Sequence, residues 1–124
     1  LAMGAARASF PKIFNVNWFR TNEQGKFLWP GFGENMRVLR WIHGRAHGTA
    51  AGRASAIGIL PADGAIDLAG LAVSDEAMRE LLHVDRDAWL AEVVDQKGFL
   101  EGFGGHMPEG IWKQHEELKR RLGA

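Results

Sequence analysis

The 124-residue sequence contains no cysteine. That absence removes disulfides, thiolate metal sites and cysteine nucleophiles together, and it fits a cytosolic setting. No apolar run approaches the roughly eighteen residues that a membrane span needs, so no membrane partner is expected. The opening Leu1-Ala2-Met3-Gly4-Ala5-Ala6-Arg7 lacks the apolar stretch of a secretory signal. Starting on Leu rather than Met, it reads as an excised piece. No G-x-x-x-x-G-K-S/T occurs, so a phosphate-cradling loop of that kind is missing. Internal repeats and low-complexity segments are also absent.

What is present suffices for one domain over 1–124, since 46% of the residues are hydrophobic. Net charge is zero but unevenly spread. Residues 1–60 carry eight Lys or Arg against two acids, +6, and residues 61–124 carry seven against thirteen, −6. Two readings are open: the first half faces an anion while the second is an acidic solvated scaffold, or the two halves attract each other.

Along the chain, Ile13 to Phe19 alternates apolar and polar residues until its last step and reads as a half-buried strand. A reversal over Thr21 to Lys26 leads to a short returning strand, Phe27-Leu28-Trp29, which Pro30 and the glycines after it stop. Glu34 and Asn35 open a helix with Val38, Leu39, Trp41 and Ile42 on its apolar face, ended by Gly44 and Gly48. Ala54 to Leu60 reads as a strand stopped by Pro61, and Gly64 to Leu71 as a further one. Ser74 and Asp85 are expected helix caps. Gly102-Phe103-Gly104-Gly105 breaks the pattern, and Pro108 starts a last helix with Ile111, Trp112, His115, Leu118 and Leu122 on one stripe. On that helix Glu116–Arg120 and Glu117–Arg121 are expected ion pairs.

The informative stretch is Asn17 to Asn35, which holds Trp18, Phe19, Phe27, Trp29 and Phe32. Aromatics on strands normally belong to a core. Phe32, however, sits between Gly31 and Gly33, where the backbone can come close to a ligand and a ring can offer it a flat face. A purine is a plausible occupant, and Glu34 and Asn35 add polar groups for its edge. From the residues alone, a base-binding loop competes with an aromatic core plug in which Asn35 is a plain helix cap. His43 and His47 stand four apart, but without a third ligand they are read as helix-end residues rather than a metal site.

The run Phe10-Pro11-Lys12-Ile13-Phe14-Asn15-Val16-Asn17-Trp18-Phe19-Arg20, then Gly25 to Asn35 (GKFLWPGFGEN), then Arg37-Val38-Leu39, resembles GTP-dependent phosphoenolpyruvate carboxykinases. The likeness is dense over residues 10–45, looser through Ile57 to Pro61 and Leu68 to Leu71, and one of kind rather than of residues in the closing helices. It implies an α/β fold, α+β as an isolated piece. That fold has a guanine-pocket region over 10–45, small strands and loops over 46–73 and helices over 74–124.

The resemblance also implies that Phe19, Phe27 and Phe32 enclose guanine. Phe32-Gly33-Glu34-Asn35 would bind the nucleotide, with Asn35 at the guanine edge, and Trp18 and Trp29 would line or support the pocket. The parent enzyme converts oxaloacetate and GTP to phosphoenolpyruvate, carbon dioxide and GDP, with Mn²⁺ and Mg²⁺. Its phosphate loop, reactive cysteine, metal ligands and lid are expected upstream, so the chain alone is expected to be inert. The expected partners are the guanine base and the remaining catalytic part of the same polypeptide, not nucleic acid. Two other classes stay open: a single-stranded RNA binder using the basic first half, and a protein-interaction module built on the acidic helices.

Overall fold

Helices form where local side chains can satisfy their orphan amides and carbonyls. A computed structural model describes residues 11–123; Leu1 to Arg7 and Phe10, discussed above, lie outside the described residues. Helix α1, Asn35–His47, closes on Gly48, whose left-handed φ of 76° lets its amide reach the carbonyls of Gly44 and Arg45. Gly44 does not end the helix as expected. It lies buried inside α1, where a β-carbon would stand 2.8 Å from Ala50 Cβ, so its role is close approach. Helix α2, Asp75–Leu82, starts with Ser74 accepting from the Ala77 amide. Helix α3, Arg86–Glu101, starts with Asp85 accepting from Asp87 and Ala88. Both caps stand where the sequence puts them. A short 3-10 turn at Gly104–His106 precedes helix α4, Glu109–Arg121, which follows Pro108.

The strand expectations need correction. The single strand expected over Ala54 to Leu60 is folded in half, as β1, Gly52–Ser55, and β2, Gly58–Pro61, paired in a two-stranded antiparallel hairpin. Gly58 has φ 132° at the turn, and the Ser55 hydroxyl donates to its carbonyl at 2.7 Å. Gly64 to Leu71 makes turns instead of a strand, yet still delivers Ile66, Leu68 and Leu71 to the core. Ile13 to Phe19 joins no ladder among the described residues, although its burial alternates: Phe14, Val16 and Trp18 are partly buried and Ile13, Asn15, Asn17 and Phe19 are exposed. The period-two reading of side chains holds there while the backbone pairing does not. The returning strand at 27–29 shrinks to one antiparallel bridge, Thr21 to Phe27. A hairpin plus helices makes the piece α+β.

By packing, the described residues divide into two compact units. The first, 11–54 with 59–83, is built on Trp29, Trp41 and Ile66, against which Phe14, Trp18, Val38, Ile42, Met78 and Leu81 pack. Trp41 donates its indole N–H to the Ala51 carbonyl at 2.8 Å, so a buried polar edge is not left bare. In this unit the basic first half is largely spent on backbone. Lys12 donates to the Arg45 and Ala46 carbonyls ending α1. Arg20 and Arg53 donate to the Leu81 and Leu82 carbonyls ending α2, and Arg20 also pairs with Glu80 at 3.0 Å.

The second unit, 55–58 with 84–123, packs α3 on α4, with Val93, His115 and Leu122 buried. His115 is the packed residue its stripe predicts. Its Nε2 lies 2.9 Å from the Val93 carbonyl, which can only accept, so Nε2 carries the proton. On α4, Glu117 takes both arginines, Arg120 at 2.7 Å and Arg121 at 3.5 Å, in place of the expected Glu116–Arg120 pair. The hydrogen bonds from Arg120 hold the Glu117 carboxyl below its ordinary range, and the same bonds raise Arg120. A lowered carboxylate contributes stability above its unfolded value and loses it as pH falls. This pair is solvent-exposed, so the contribution is small.

Candidate functional site

The aromatic stretch separates into two populations on folding. Trp29 is 5% exposed and Trp18 is partly buried against the same core. Phe19, Phe27 and Phe32 are 73%, 59% and 98% exposed. The core-plug reading therefore holds for the two tryptophans and fails for the three phenylalanines. Three large rings within fourteen residues are left in solvent, and the core does not account for them.

Asn22 builds the reversal that brings two of these rings together. Its side-chain oxygen accepts from the Gln24 and Lys26 amides, and its own amide donates to Lys26. Gly25 completes the turn at φ 76°, and Leu28 donates back to Arg20. This one-bridge hairpin sets the Phe19 and Phe27 rings 6.2 Å apart at 58°, touching but not stacked. Asn17 also accepts from the Phe19 amide at 2.9 Å, fixing the turn that carries that ring.

Phe32 reaches solvent by a different device. Gly31 adopts φ 82° and ψ −164°, a conformation that glycine alone adopts at little cost. The chain then winds a 3-10 turn over Phe32–Glu34, in which Glu34 donates to Gly31 and Asn35 to Phe32. Among the described residues Phe32 makes no ring–ring contact.

The two polar residues behind it have separate duties. Glu34 pairs with Arg37, whose guanidinium also donates to the Asp67 carbonyl at 2.8 Å and the Ala69 carbonyl at 3.0 Å. Its carboxylate is thus engaged in tying α1 to the 67–69 loop. Asn35 does not cap α1. The capping position falls on Glu34, with no side-chain cap bond, and Asn35 Oδ1 instead accepts from the Trp29 indole N–H at 2.9 Å. The plain-cap reading of Asn35 is overturned because a buried indole claims the amide first. Sequence reasoning did not foresee this bond. Its only signal was that a core tryptophan needs an acceptor for its N–H.

His47 Nδ1 lies 2.9 Å from the His43 carbonyl, the two rings pack at 4.2 Å, and no group of three metal-ligating side chains exists among the described residues.

Residues 1–121 match the family model of the phosphoenolpyruvate carboxykinase C-terminal P-loop domain. The chain belongs to the GTP-dependent phosphoenolpyruvate carboxykinase family. It is 48% identical over 116 residues to the cytosolic GTP enzyme of Gallus gallus, covering 93% of this chain and 18% of that protein. It is 41% identical over 118 residues to the enzyme of Chlamydia felis (94% and 20%), and 42% over 120 residues to the mitochondrial enzyme of Mus musculus (96% and 18%). The chain thus spans about a fifth of the length of these carboxykinases. No helix among its described residues is long and apolar enough to cross a membrane.

Proposed function

We propose that this chain supplies the guanine-binding wall of a GTP-dependent phosphoenolpyruvate carboxykinase, which converts oxaloacetate and GTP to phosphoenolpyruvate, carbon dioxide and GDP in gluconeogenesis, in the cytoplasm. The observation that carries the reading is the exposure of Phe19, Phe27 and Phe32, the first two paired and the third three residues before Asn35 in the chain, while Trp29 is buried and Trp18 packs against its core. The rings offer flat apolar faces to a purine, and Gly33 leaves room for its approach. Asn35 offers hydrogen bonds to the base edge, and Trp18 and Trp29 support the pocket from behind. Lys12, Arg20 and Arg53 direct their donors to helix-end carbonyls, which favours a mononucleotide over an extended phosphate backbone.

The family's Mn²⁺ and Mg²⁺ do not fit the residues described here, which form no cluster of carboxylates and imidazoles. The sequence also lacks a phosphate-cradling G-x-x-x-x-G-K-S/T. Phosphoryl transfer depends on positioning and neutralising the phosphate charge, so this chain contributes base recognition and the remainder of the enzyme the chemistry. The purified chain given oxaloacetate, GTP and Mn²⁺ is expected to show no turnover; phosphoenolpyruvate formed above blank would show that the catalytic centre lies within it.

The binding role is tested at Phe32. Phe32→Ala is expected to weaken guanine-nucleotide binding by about 1–3 kcal/mol, one lost stacking face. Because the ring is 98% exposed, the unfolding free energy should move by no more than about 0.5 kcal/mol. Tryptophan fluorescence during GDP titration measures the first and urea denaturation the second. A fall in stability with unchanged GDP affinity would make Phe32 a structural residue. Equal response to any oligonucleotide would favour an RNA binder.

A further inference from the structure

We infer that Trp29 sets the base preference of this site by fixing which end of the Asn35 amide faces the ligand, an inference that rests on the guanine reading above. The two ends of an asparagine amide have nearly the same shape, and a half-turn about χ2 exchanges a donor for an acceptor. An Asn free to make that turn serves a 6-oxopurine and a 6-aminopurine alike, so its presence alone gives no discrimination.

Here the turn is blocked by chemistry. The indole N–H is a donor only, so the atom 2.9 Å from it must be the carbonyl oxygen of Asn35. Trp29 is 5% exposed and wedged with Trp41 and Ile66, so it can neither follow a turned amide nor find water instead. Turning Asn35 would set NH₂ against N–H and strand a buried donor. The amide is therefore held with its oxygen inward and its NH₂ available to the ligand. That NH₂ satisfies the carbonyl of a 6-oxopurine and meets the amino group of a 6-aminopurine donor to donor. Trp29 touches no ligand in this scheme; it is a positioning residue acting through Asn35.

The test measures GDP and ADP affinities of the 124-residue chain by ¹⁵N chemical shifts, for the wild type, Trp29→Phe, Asn35→Ala and the double variant. Phenylalanine keeps an aromatic ring in the core and removes only the indole's donor half. The GDP-to-ADP preference is expected to fall about ten-fold in Trp29→Phe, and the same change is expected to do nothing once Asn35 is alanine. A preference unchanged in Trp29→Phe, or falling equally in both backgrounds, overturns the inference while leaving the guanine pocket standing. A wild-type chain with no preference for GDP overturns the guanine reading itself and this inference with it. If Trp29→Phe does not fold, the wild type decides. Its Trp29 indole proton should exchange slowly, and the Asn35 NH₂ resonances should shift with GDP. An indole proton exchanging as fast as a free one overturns the inference.

Discussion

Replacing Trp41 with alanine is expected to destabilise the chain by about 3–5 kcal/mol, the range for emptying a buried aromatic site. Trp41 is 6% exposed and packs edge-on against Phe14 with ring centroids 6.0 Å apart. Its indole also satisfies the Ala51 carbonyl just before β1, so the substitution removes both the packing and the link that holds the 49–51 loop to α1. Trp41→Phe separates the two contributions, since it keeps most of the ring and loses the hydrogen bond. That variant should cost roughly 1–2 kcal/mol, a lost hydrogen bond plus a small cavity. Urea denaturation measures both. A loss below about 1 kcal/mol for Trp41→Ala would mean that Trp41 is not a centre of this core.

The parts of the fold that were legible in the sequence are those decided within one turn of the chain. Ser74 and Asp85 can satisfy helix amides two or three residues ahead whatever the rest of the protein does, so their caps stand where predicted. Gly48 closes α1 for the same local reason. Strands are less legible because a ladder belongs to two segments at once. Ile13 to Phe19 shows the burial alternation its sequence announces, yet no neighbouring strand among the described residues pairs with it. Ala54 to Leu60 looks like one strand until Gly58, with φ 132°, turns it back on itself. The charge asymmetry was visible as a number, but its destination at the ends of α1 and α2 depends on contacts more than thirty residues apart.

Within the candidate site, the aromatic cluster was visible and its sorting was not. Trp29 and Phe32 lie three residues apart in the same motif, and composition treats them alike. What separates them is Gly31 at φ 82°, which turns the chain between the two rings. Asn35 shows the limit most clearly. An Asn at the start of a helix is a sound cap by local rules, and only the tertiary position of the Trp29 indole shows that its oxygen is already committed. Family resemblance supplied the guanine expectation; the geometry adds a reason why the amide would face the base in one sense.

That reason makes Asn35→Asp the most discriminating single change. An aspartate can still accept from the Trp29 indole with one oxygen, so the core contact survives. Its other oxygen replaces the NH₂ and presents an acceptor to the carbonyl of guanine, where a donor is needed. In the proposed pocket the guanine contact would be lost to like-with-like opposition, while the amino group of adenine would gain an acceptor. The preference for GDP over ADP is expected to narrow by about 2–3 kcal/mol, the scale of a polar mismatch in a site built to pair that group. Folding should be spared: Asn35 makes no cap bond to α1, and a carboxylate at a helix start is favoured by the helix dipole. Parallel GDP and ADP titrations with a denaturation curve for each protein separate the possibilities. A preference unchanged in Asn35→Asp would remove the side chain from base reading. A collapse in stability with the preference intact would return Asn35 to a purely architectural part, holding the buried indole and nothing more.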